Sequence, residues 1–406
     1  GHAVLVLERA RFPRFHIGES LLPLGNAVFD EIGCRERIER AGFFVKGGAQ
    51  LLSPCGEHAV LFDFAEQRID PPTTVQVPRA VFDELLLEHA KALGASVERG
   101  SARDLAVDGE GVTVTWATDA GEPRRARARA VIDASGRAGF VARRERVRVP
   151  DTELQKASVY AHFRFVDRDG GARAGDTRIV SLPRLGWMWL IPLDDEVTSV
   201  GVVLDADDYR AQDKGDLAAI FQRAVQSAPL VARLMARAER VSDLGAESGF
   251  GYRAERYAGD RWFLAGDAGS LLDPVWSTGV QMALTSGVEA ADAVADGLVA
   301  GAAAPARVAA AYDRVLQRRY AFVRRFVTGF YDPHTRDLFF APRPYLGIHR
   351  AVTRVLAGGF DLGWLDRQRL KLFFLLGRIQ ARVALVPRLC AAADEAPAAE
   401  PALERS

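Results

Sequence analysis

The chain has 406 residues, 49% of them hydrophobic and 26% charged, a composition typical of a soluble globular protein with a substantial core. Basic and acidic side chains both number 53, so no overall field attracts nucleic acid or an anionic membrane. The three cysteines show no disulfide or zinc-binding spacing, and neither a secretory signal nor an apolar run of membrane-spanning length occurs. These properties predict a cytoplasmic protein without nucleic-acid partners or membrane contact.

The first predicted element is a buried parallel strand at residues 1–9, which ends in Glu8 and Arg9. In a dinucleotide-binding fold the second strand ends in an acid that binds the adenosine ribose hydroxyls, and Glu8 fits that place. No Gly-x-Gly-x-x-Gly motif in a strand–helix context accompanies it. We therefore expect the first βα unit to be missing, through truncation of a competent protein, which we favour, or through loss of cofactor binding.

Two polar segments follow this strand. Gly18 lets the backbone approach a ring closely, and Glu19 and Ser20 add polar atoms beside it. His16 is expected to be a loop histidine with its hydrogen bonds satisfied. Lys46 lies in a strand-like stretch and precedes two glycines. A lone lysine in this context is either a solvated edge residue or a functional one.

The next region combines a helix with short strands. Apolar residues at helical spacing predict a helix over residues 80–93, directly after Gln76 and Arg79. Residues 96–99 and 112–116 alternate as antiparallel strands do. Gln76 and Arg79 therefore stand directly before the predicted helix.

A second strand–turn unit precedes a change of pattern. The basic run at residues 124–129 is interpreted as a solvated hairpin and not as a nucleic-acid patch. The buried strand that follows ends in Asp133 and turns at Gly136. Residues 147–252 then contain short alternating segments, which predict an antiparallel sheet covered by a helix at 216–227.

Two tryptophans occupy this predicted sheet. Trp187 and Trp189 are two residues apart and therefore face the same side of their strand. Pro192 predicts an edge strand or a strand end. The spacing alone fits core packing against the covering helix as well as a functional pair.

The stretch 263–284 predicts a buried strand, an acidic turn and the N-terminus of a helix. Asp267, after Gly266, can accept hydrogen bonds from sugar or ribityl hydroxyls. The turn contains Pro274, and the helix is predicted to begin near Gly279, where free amides favour an anion. Further helices are predicted at 288–299, 305–331, 336–341 and 370–385, followed by a disordered tail from residue 391.

Four of these motifs together resemble the flavin-dependent halogenases of the phenol and pyrrole type, within the p-hydroxybenzoate-hydroxylase-like FAD-dependent oxidoreductases. They are the Gly-Glu-Ser segment at 18–20, Phe-x-x-Lys-x-Gly-Ala around Lys46, Trp-x-Trp-x-Ile-Pro at 187–192, and the Gly-Asp to Ser-Thr-Gly-Val stretch at 266–280. The aromatic residues near 330–340 are similar to the wall of the family's substrate pocket, although Phe340 stands where a tryptophan is frequent.

The resemblance implies an α/β fold with a Rossmann-like FAD-binding domain at residues 1–146 and 253–300. An antiparallel-sheet substrate domain (147–252), a helical C-terminal region (301–390) and a disordered tail (391–406) complete it. A separate flavin reductase would supply reduced FAD, and oxygen with chloride or bromide would be the co-substrates. The resemblance assigns catalysis to Lys46, Trp187 and Trp189, and halide binding to Thr278 and Gly279. Cofactor contacts are expected from Glu8, Arg9, Gly18, Glu19, Ser20, Gln76, Arg79, Asp133, Gly136, Gly266, Asp267, Pro274, Gly279 and Val280.

One departure from the family predicts the substrate class. Tryptophan halogenases carry a glutamate where this chain has Trp276, and that acid stabilises or deprotonates the cationic intermediate. Its replacement implies a small aromatic substrate that stabilises its own cation, a phenol or a pyrrole, free or tethered to a carrier protein. Two alternatives stay open: a monooxygenase or dehydrogenase/reductase of the same fold, and a truncated, inactive flavoprotein.

Overall fold

The structure is a computed structural model that describes residues 2–182, 186–211, 216–299, 306–341 and 345–388, so the predicted tail lies outside the described residues. Its strands are β1 (Leu5–Glu8), β2 (Phe44–Lys46), β3 (Gly48–Leu52), β4 (Ala59–Asp63), β5 (Thr74–Gln76), β6 (Ser96–Arg99), β7 (Ser101–Val107), β8 (Val112–Ala117), β9 (Pro123–Ala128), β10 (Val131–Asp133), β11 (Arg148–Pro150), β12 (Lys156–Arg164), β13 (Thr177–Ser181), β14 (Trp187–Pro192), β15 (Val197–Asp205), β16 (Glu239–Arg240), β17 (Gly245–Ser248), β18 (Tyr252–Ala254), β19 (Ala258–Gly259), β20 (Trp262–Leu264) and β21 (Ser270–Leu271). Its helices are α1 (Asn26–Glu31), α2 (Arg35–Arg40), α3 (Arg79–Ala92), α4 (Phe140–Arg144), α5 (Ala206–Ala211), α6 (Leu217–Gln226), α7 (Pro229–Leu234), α8 (Thr278–Val299), α9 (Ala306–Tyr331), α10 (Pro333–Phe340), α11 (Ile348–Leu356) and α12 (Trp364–Gln380).

An eight-stranded sheet forms the centre, with the order β16-β12-β15-β14-β13-β3-β4 and with β17 also paired to β12. Neighbouring strands run antiparallel except β13 and β3, which run parallel. The sheet predicted from the alternating segments is therefore present. Strands β3 and β4 join it from outside the range predicted for the substrate domain.

The two faces of this sheet have different neighbours, because successive side chains of a strand point to opposite sides. Met188 and Leu190 of β14 pack with the residues of α6 and α7 on one face. Trp187, Trp189 and Ile191 pack with aromatic residues of α9, α10 and α12 and aliphatic residues of α11 on the other face. The prediction that the two tryptophans share a face is confirmed, and that face is not the one covered by α6.

Two smaller sheets also contain parallel pairs: β1 runs parallel to β6, and β10 runs parallel to β20, whose other neighbour β19 is antiparallel. The prediction that residues 96–99 form an antiparallel strand is wrong, because β6 pairs parallel with β1. The chain enters β6 from helix α3, and a helical crossover of this kind returns a chain in the same direction. The predicted antiparallel strand at 112–116 is confirmed as β8, between β7 and the exposed basic strand β9.

Helices α9, α10 and α12 bury phenylalanines against the tryptophan-bearing face of the sheet. Helix α8 begins at Thr278, one residue before the predicted Gly279, and α9 ends at Tyr331 as predicted. Helix α12 begins six residues before the predicted start at 370 and ends at Gln380. Within the described ranges, the helices are too short or too polar to cross a membrane.

Candidate active site

Lys46 is the last residue of β2, which pairs antiparallel with β5, and its side chain is only 1% exposed. Its Nζ donates to Ser20 Oγ at 2.7 Å and to the backbone oxygen of Leu21 at 3.0 Å. Burial lowers the pKa of Lys46 to about 7, and the negative charge of Asp176 opposes part of this shift. Lys46 is therefore not a solvated edge residue, and it can gain or lose a proton near neutral pH.

Behind Ser20, a chain of buried hydrogen bonds reaches the central sheet. Ser20 Oγ lies 2.9 Å from Thr177 Oγ1, at the start of β13. Gln76 Nε2 donates to Thr177 Oγ1 at 2.8 Å and to the backbone oxygen of Gly175 at 2.9 Å. Ser20 and Gln76, expected as cofactor contacts, thus also hold the lysine in place; their contact with a cofactor stays a prediction.

The tryptophan pair lies on β14 with ring centroids 5.8 Å apart. Trp189 Nε1 donates to Ser199 Oγ at 3.1 Å, and the indole lies across Gly201 of the neighbouring strand β15. A Cβ atom at Gly201 would come within 2.2 Å of the Trp189 ring. The indole can take this position only because residue 201 has no side chain.

Trp187 is joined to the turn before α8 through helix α9. Its Nε1 donates to Tyr331 Oη at 3.0 Å, and Tyr331 Oη donates to Asp273 Oδ2 at 2.7 Å. Burial raises the pKa of Asp273 to about 6, although the hydrogen bond from Tyr331 acts in the opposite direction. Lys156 Nζ lies 3.8 Å from the centre of the Tyr331 ring and 2.5 Å from Asp205 Oδ1. The tryptophan strand β14, the end of α9 and the turn before α8 are therefore joined by one chain of hydrogen bonds.

The Gly-Asp turn follows β20 and packs against α8. Gly266 has φ +56°, and a Cβ there would lie 2.9 Å from the Cβ of Ala283. The Asp267 carboxylate has no hydrogen-bond or ion-pair partner among the described residues. Burial raises the pKa of Asp267 to about 6 against the opposing charges of Arg79 and Arg137. A partly desolvated carboxylate without a partner is suited to accept hydrogen bonds from ligand hydroxyls.

The N-terminus of α8 provides a second place for a ligand. Ser277 has φ +55°, a left-handed conformation that costs free energy in a non-glycine residue and is found at functional sites. Thr278 is buried, and a Cβ built on Gly279 would meet no atom within 4 Å. The first amides of a helix have no acceptor within the helix, so this turn offers donors beside open space. Such a place fits a halide ion, and the assignment stays a prediction.

Gly18, Arg79 and Val280 lie close together, and their contact with a cofactor stays a prediction. A Cβ on Gly18 would lie 3.1 Å from Arg79 Nη1 and 3.9 Å from Val280. Arg79 donates to the backbone oxygen of Ile17 at 2.7 Å and binds Asp83 through two hydrogen bonds of 2.7 and 3.0 Å. The guanidinium thus holds the backbone before Gly18 against the start of α3.

The other predicted cofactor residues have local partners. Buried Glu19 lies 2.8 Å from His162 Nε2, and Glu8 accepts from a backbone amide two residues later at 2.7 Å. Asp133 caps the turn after β10 with both carboxylate oxygens. The remaining predicted contacts lie at exposed or turn positions: Arg9, Gly136 and Pro274.

An aromatic cluster surrounds Trp276. Its ring centroid lies 5.3 Å from that of Phe330 and 5.2 Å from that of Phe339, and Phe340 belongs to the same cluster. The Trp276 indole N–H is buried and has no acceptor in the described part of the chain. An unpaired buried donor costs about 1–3 kcal/mol, so a ligand oxygen at this place would stabilise it.

Sequence reasoning did not identify Thr177, or the hydrogen bonds of Asp273 and Tyr331, as parts of the site. Asp273 lies in the stretch 263–284 and Tyr331 in the aromatic segment near 330–340, so both segments had been noted. Thr177 lies 157 residues from its partner Ser20, and no local pattern marks it. Across the described ranges, His, Cys, Asp and Glu form no group of three or more that could hold a metal ion.

Comparisons with known proteins place this chain in a family. The tryptophan halogenase family matches residues 71–340. The chain is 32% identical to the 1H-pyrrole-2-carbonyl-(peptidyl-carrier protein) brominase of Pseudoalteromonas luteoviolacea (strain 2ta16), over 72% of this chain and 71% of that protein. It is 31% identical to the tryptophan 2-halogenase of Chondromyces crocatus, over 83% of this chain and 64% of that protein.

Solved structures agree with these relatives. The flavin-dependent brominase Bmp2 superposes with a TM-score of 0.80 at 30% identity, over 93% of this chain and 94% of that chain. A flavoprotein/dehydrogenase from Cytophaga hutchinsonii superposes with a TM-score of 0.83 at 26% identity, over 93% of both chains. Fold and site together define a flavin-dependent oxidoreductase of mixed α/β architecture. The chain belongs to the flavin-dependent halogenase family.

Proposed function

We propose that this protein is a flavin-dependent halogenase that uses reduced FAD, oxygen and chloride or bromide to halogenate an electron-rich aromatic ring. The observation that carries the proposal is the buried Lys46, held by two acceptors and linked through Ser20 and Thr177 to the sheet. The same sheet bears Trp187 and Trp189 on the strand beside Thr177. A separate flavin reductase would supply the reduced cofactor.

The chemistry assigned to the lysine is activation of an oxidised halogen. Bound reduced FAD, together with oxygen and halide, would supply hypohalous acid. Lys46 donates an N–H to the oxygen of this acid and polarises its bond to the halogen. A ring carbon bonds to the halogen as the oxygen–halogen bond breaks, and the leaving hydroxide takes the proton released by the ring. The products are the aryl halide and water, and the two tryptophans keep bulk water from the reacting atoms.

The residues around Asp267 fit the ribityl part of FAD. Asp267 would accept hydrogen bonds from the ribityl hydroxyls, and Thr278 with Gly279 would bind the halide. Asp267→Asn keeps the size of the side chain but removes its charge, so we expect about tenfold weaker FAD binding in a flavin fluorescence titration. Asp260→Asn, at an exposed position, is the matched control. Equal affinities for wild type and Asp267→Asn would contradict this assignment.

We infer a phenol or pyrrole substrate, free or tethered to a carrier protein. The aromatic surroundings of Trp276, with an unpaired indole N–H, support an aromatic ring that carries an acceptor oxygen. The relative from Pseudoalteromonas luteoviolacea is named for a pyrrole on a peptidyl-carrier protein, which supports the tethered form. Free tryptophan serves as the comparison substrate, because another relative is named for it.

The test supplies the purified protein with FAD, a flavin reductase with NADH, oxygen and bromide. A phenol, a pyrrole-2-carbonyl carrier protein and tryptophan are offered separately, and mass spectrometry detects the bromine isotope pair. We expect bromination of the phenol or the pyrrole and no product without halide. Lys46→Met is expected to lower the rate at least about 100-fold, whereas Lys91→Met, at an exposed position, leaves it unchanged. An active Lys46→Met variant would reject the mechanism.

The second candidate is a dehydrogenase/reductase of the same fold. The flavoprotein/dehydrogenase of Cytophaga hutchinsonii, with a TM-score of 0.83, favours it. A product that is oxidised or reduced without gaining a halogen, at a rate independent of bromide, would support this candidate. A hydroxylated product formed without halide would instead support a monooxygenase.

A further inference from the structure

We infer that Ser20 is a positioning residue for Lys46: together with the Leu21 carbonyl, its hydroxyl holds two hydrogens of the ammonium and fixes the direction of the third. This inference rests on the proposed function for its role in the reaction. The hydrogen-bond arrangement itself involves only residues of this chain, and it can be tested without cofactor or substrate.

The ammonium nitrogen of Lys46 is tetrahedral and carries three hydrogens. Ser20 Oγ and the Leu21 oxygen accept two of them, at 2.7 and 3.0 Å. The third has no acceptor among the described residues, and the nearest aromatic ring, that of Phe64, has its centroid 5.4 Å from Nζ. When the ammonium loses this third proton, the amine keeps both hydrogen bonds and its lone pair takes the vacated direction. Both protonation states of Lys46 therefore share one orientation.

Ser20 can impose this orientation because it is itself held firmly. The backbone oxygen of Gly175 can only accept a hydrogen bond, so it fixes the orientation of the Gln76 side-chain amide. The nitrogen of that amide then also donates to Thr177 Oγ1. Thr177 Oγ1 in turn lies within hydrogen-bond distance of Ser20 Oγ, at 2.9 Å. An isolated β-bridge between the backbones of Ser20 and Gln76 is a second link. Ser20, Thr177 and Gln76 are all buried, so water does not compete for these bonds.

The charges around Lys46 do not depend on Ser20. The facing carboxylate is Asp176, which is buried and lies 3.4 Å from Arg173; the same guanidinium binds Asp63 at 2.8 Å. Glu19, on the segment of Ser20, is held by its histidine partner. Exchanging the serine thus alters a hydrogen bond of the lysine and leaves its charged neighbours in place.

The experiment is a pH titration of the lysine side chains by NMR, with 13C at the ε-carbon. The sequence has five lysines, so five signals are expected, and the signal lost in Lys46→Met belongs to Lys46. Ser20→Ala is expected to lower the Lys46 pKa by about one unit, because a hydrogen bond from an ammonium is roughly twice as strong as one from an amine. Ser20→Thr keeps the hydroxyl and is expected to titrate like the wild type.

An unchanged Lys46 titration in Ser20→Ala would overturn the inference. An equal displacement of the signal of Lys156, the other buried lysine of the described chain, would overturn it too, because the structure would then have loosened generally. In the halogenation assay, Ser20→Ala is expected to lower kcat about tenfold and to leave KM for the aromatic substrate unchanged. If Lys46→Met stays active while the titration shifts as expected, the proposed function fails and the positioning role stands.

Discussion

Replacing Lys46 by methionine should change how the stability of the protein depends on pH. Lys46 is buried, and burial lowers its pKa from 10.5 to about 7. Methionine has a similar length and no charge. The exchange leaves the Ser20 hydroxyl and the Leu21 carbonyl without their donor, an effect that is the same at every pH. The pH-dependent part of the difference therefore reports Lys46 alone.

The sign and size follow from proton binding. Below pH 7 the lysine is charged in both the native and the unfolded state, and the native state carries the full penalty of burying the charge. Between pH 7 and 10.5 the native lysine is neutral while the unfolded lysine stays charged, so the unfolded state binds more protons. The free energy of unfolding should then rise by ~1.4 kcal/mol per pH unit, and the whole penalty amounts to ~5 kcal/mol.

The assay is urea unfolding, followed by tryptophan fluorescence at several pH values from 7.5 to 9.5. The quantity of interest is the unfolding free energy of the wild type minus that of Lys46→Met, which should increase by ~3 kcal/mol over this interval. Lys91→Met, at an exposed position, should show no such trend. A flat difference between wild type and Lys46→Met would refute the claim that Lys46 is neutral in the native state at alkaline pH.

Two further predictions concern the tryptophan pair. Gly201→Ala places a Cβ within 2.2 Å of the Trp189 ring, so the indole must move; we expect a loss of ~1–3 kcal/mol in unfolding free energy and lower halogenation per NADH consumed. A variant with the unfolding free energy of the wild type and the same halogenation per NADH consumed would show that the Trp189 indole has room for the added methyl group. Tyr331→Phe leaves the Trp187 N–H and the Asp273 carboxylate without their shared partner, and we expect it to lower the urea midpoint by an amount corresponding to ~1–3 kcal/mol. An unchanged urea midpoint in Tyr331→Phe would contradict a stabilising role of the Trp187–Tyr331–Asp273 hydrogen bonds.

Much of the architecture could be predicted from local pattern. The alternation around Trp187 and Trp189 placed both rings on one face, which the structure confirms. Helices α3, α6 and α9 begin and end within a residue or so of the predicted positions, because capping residues, glycines and prolines act locally. The resemblance to halogenase motifs selected Lys46 and the Asp267 turn as candidates, since each motif is a continuous segment, and their roles stay predictions.

What the sequence alone determined, then, is which segments are strands and helices and which short motifs they carry. The direction of β6, the burial of Lys46 and its hydrogen bond to Ser20 were decided by tertiary structure. The bond between Ser20 and Thr177 joins positions 157 residues apart and depends on the register of β13 against β3. No local pattern encodes such a distance, because sheet register and helix docking arise from the packing of the whole core.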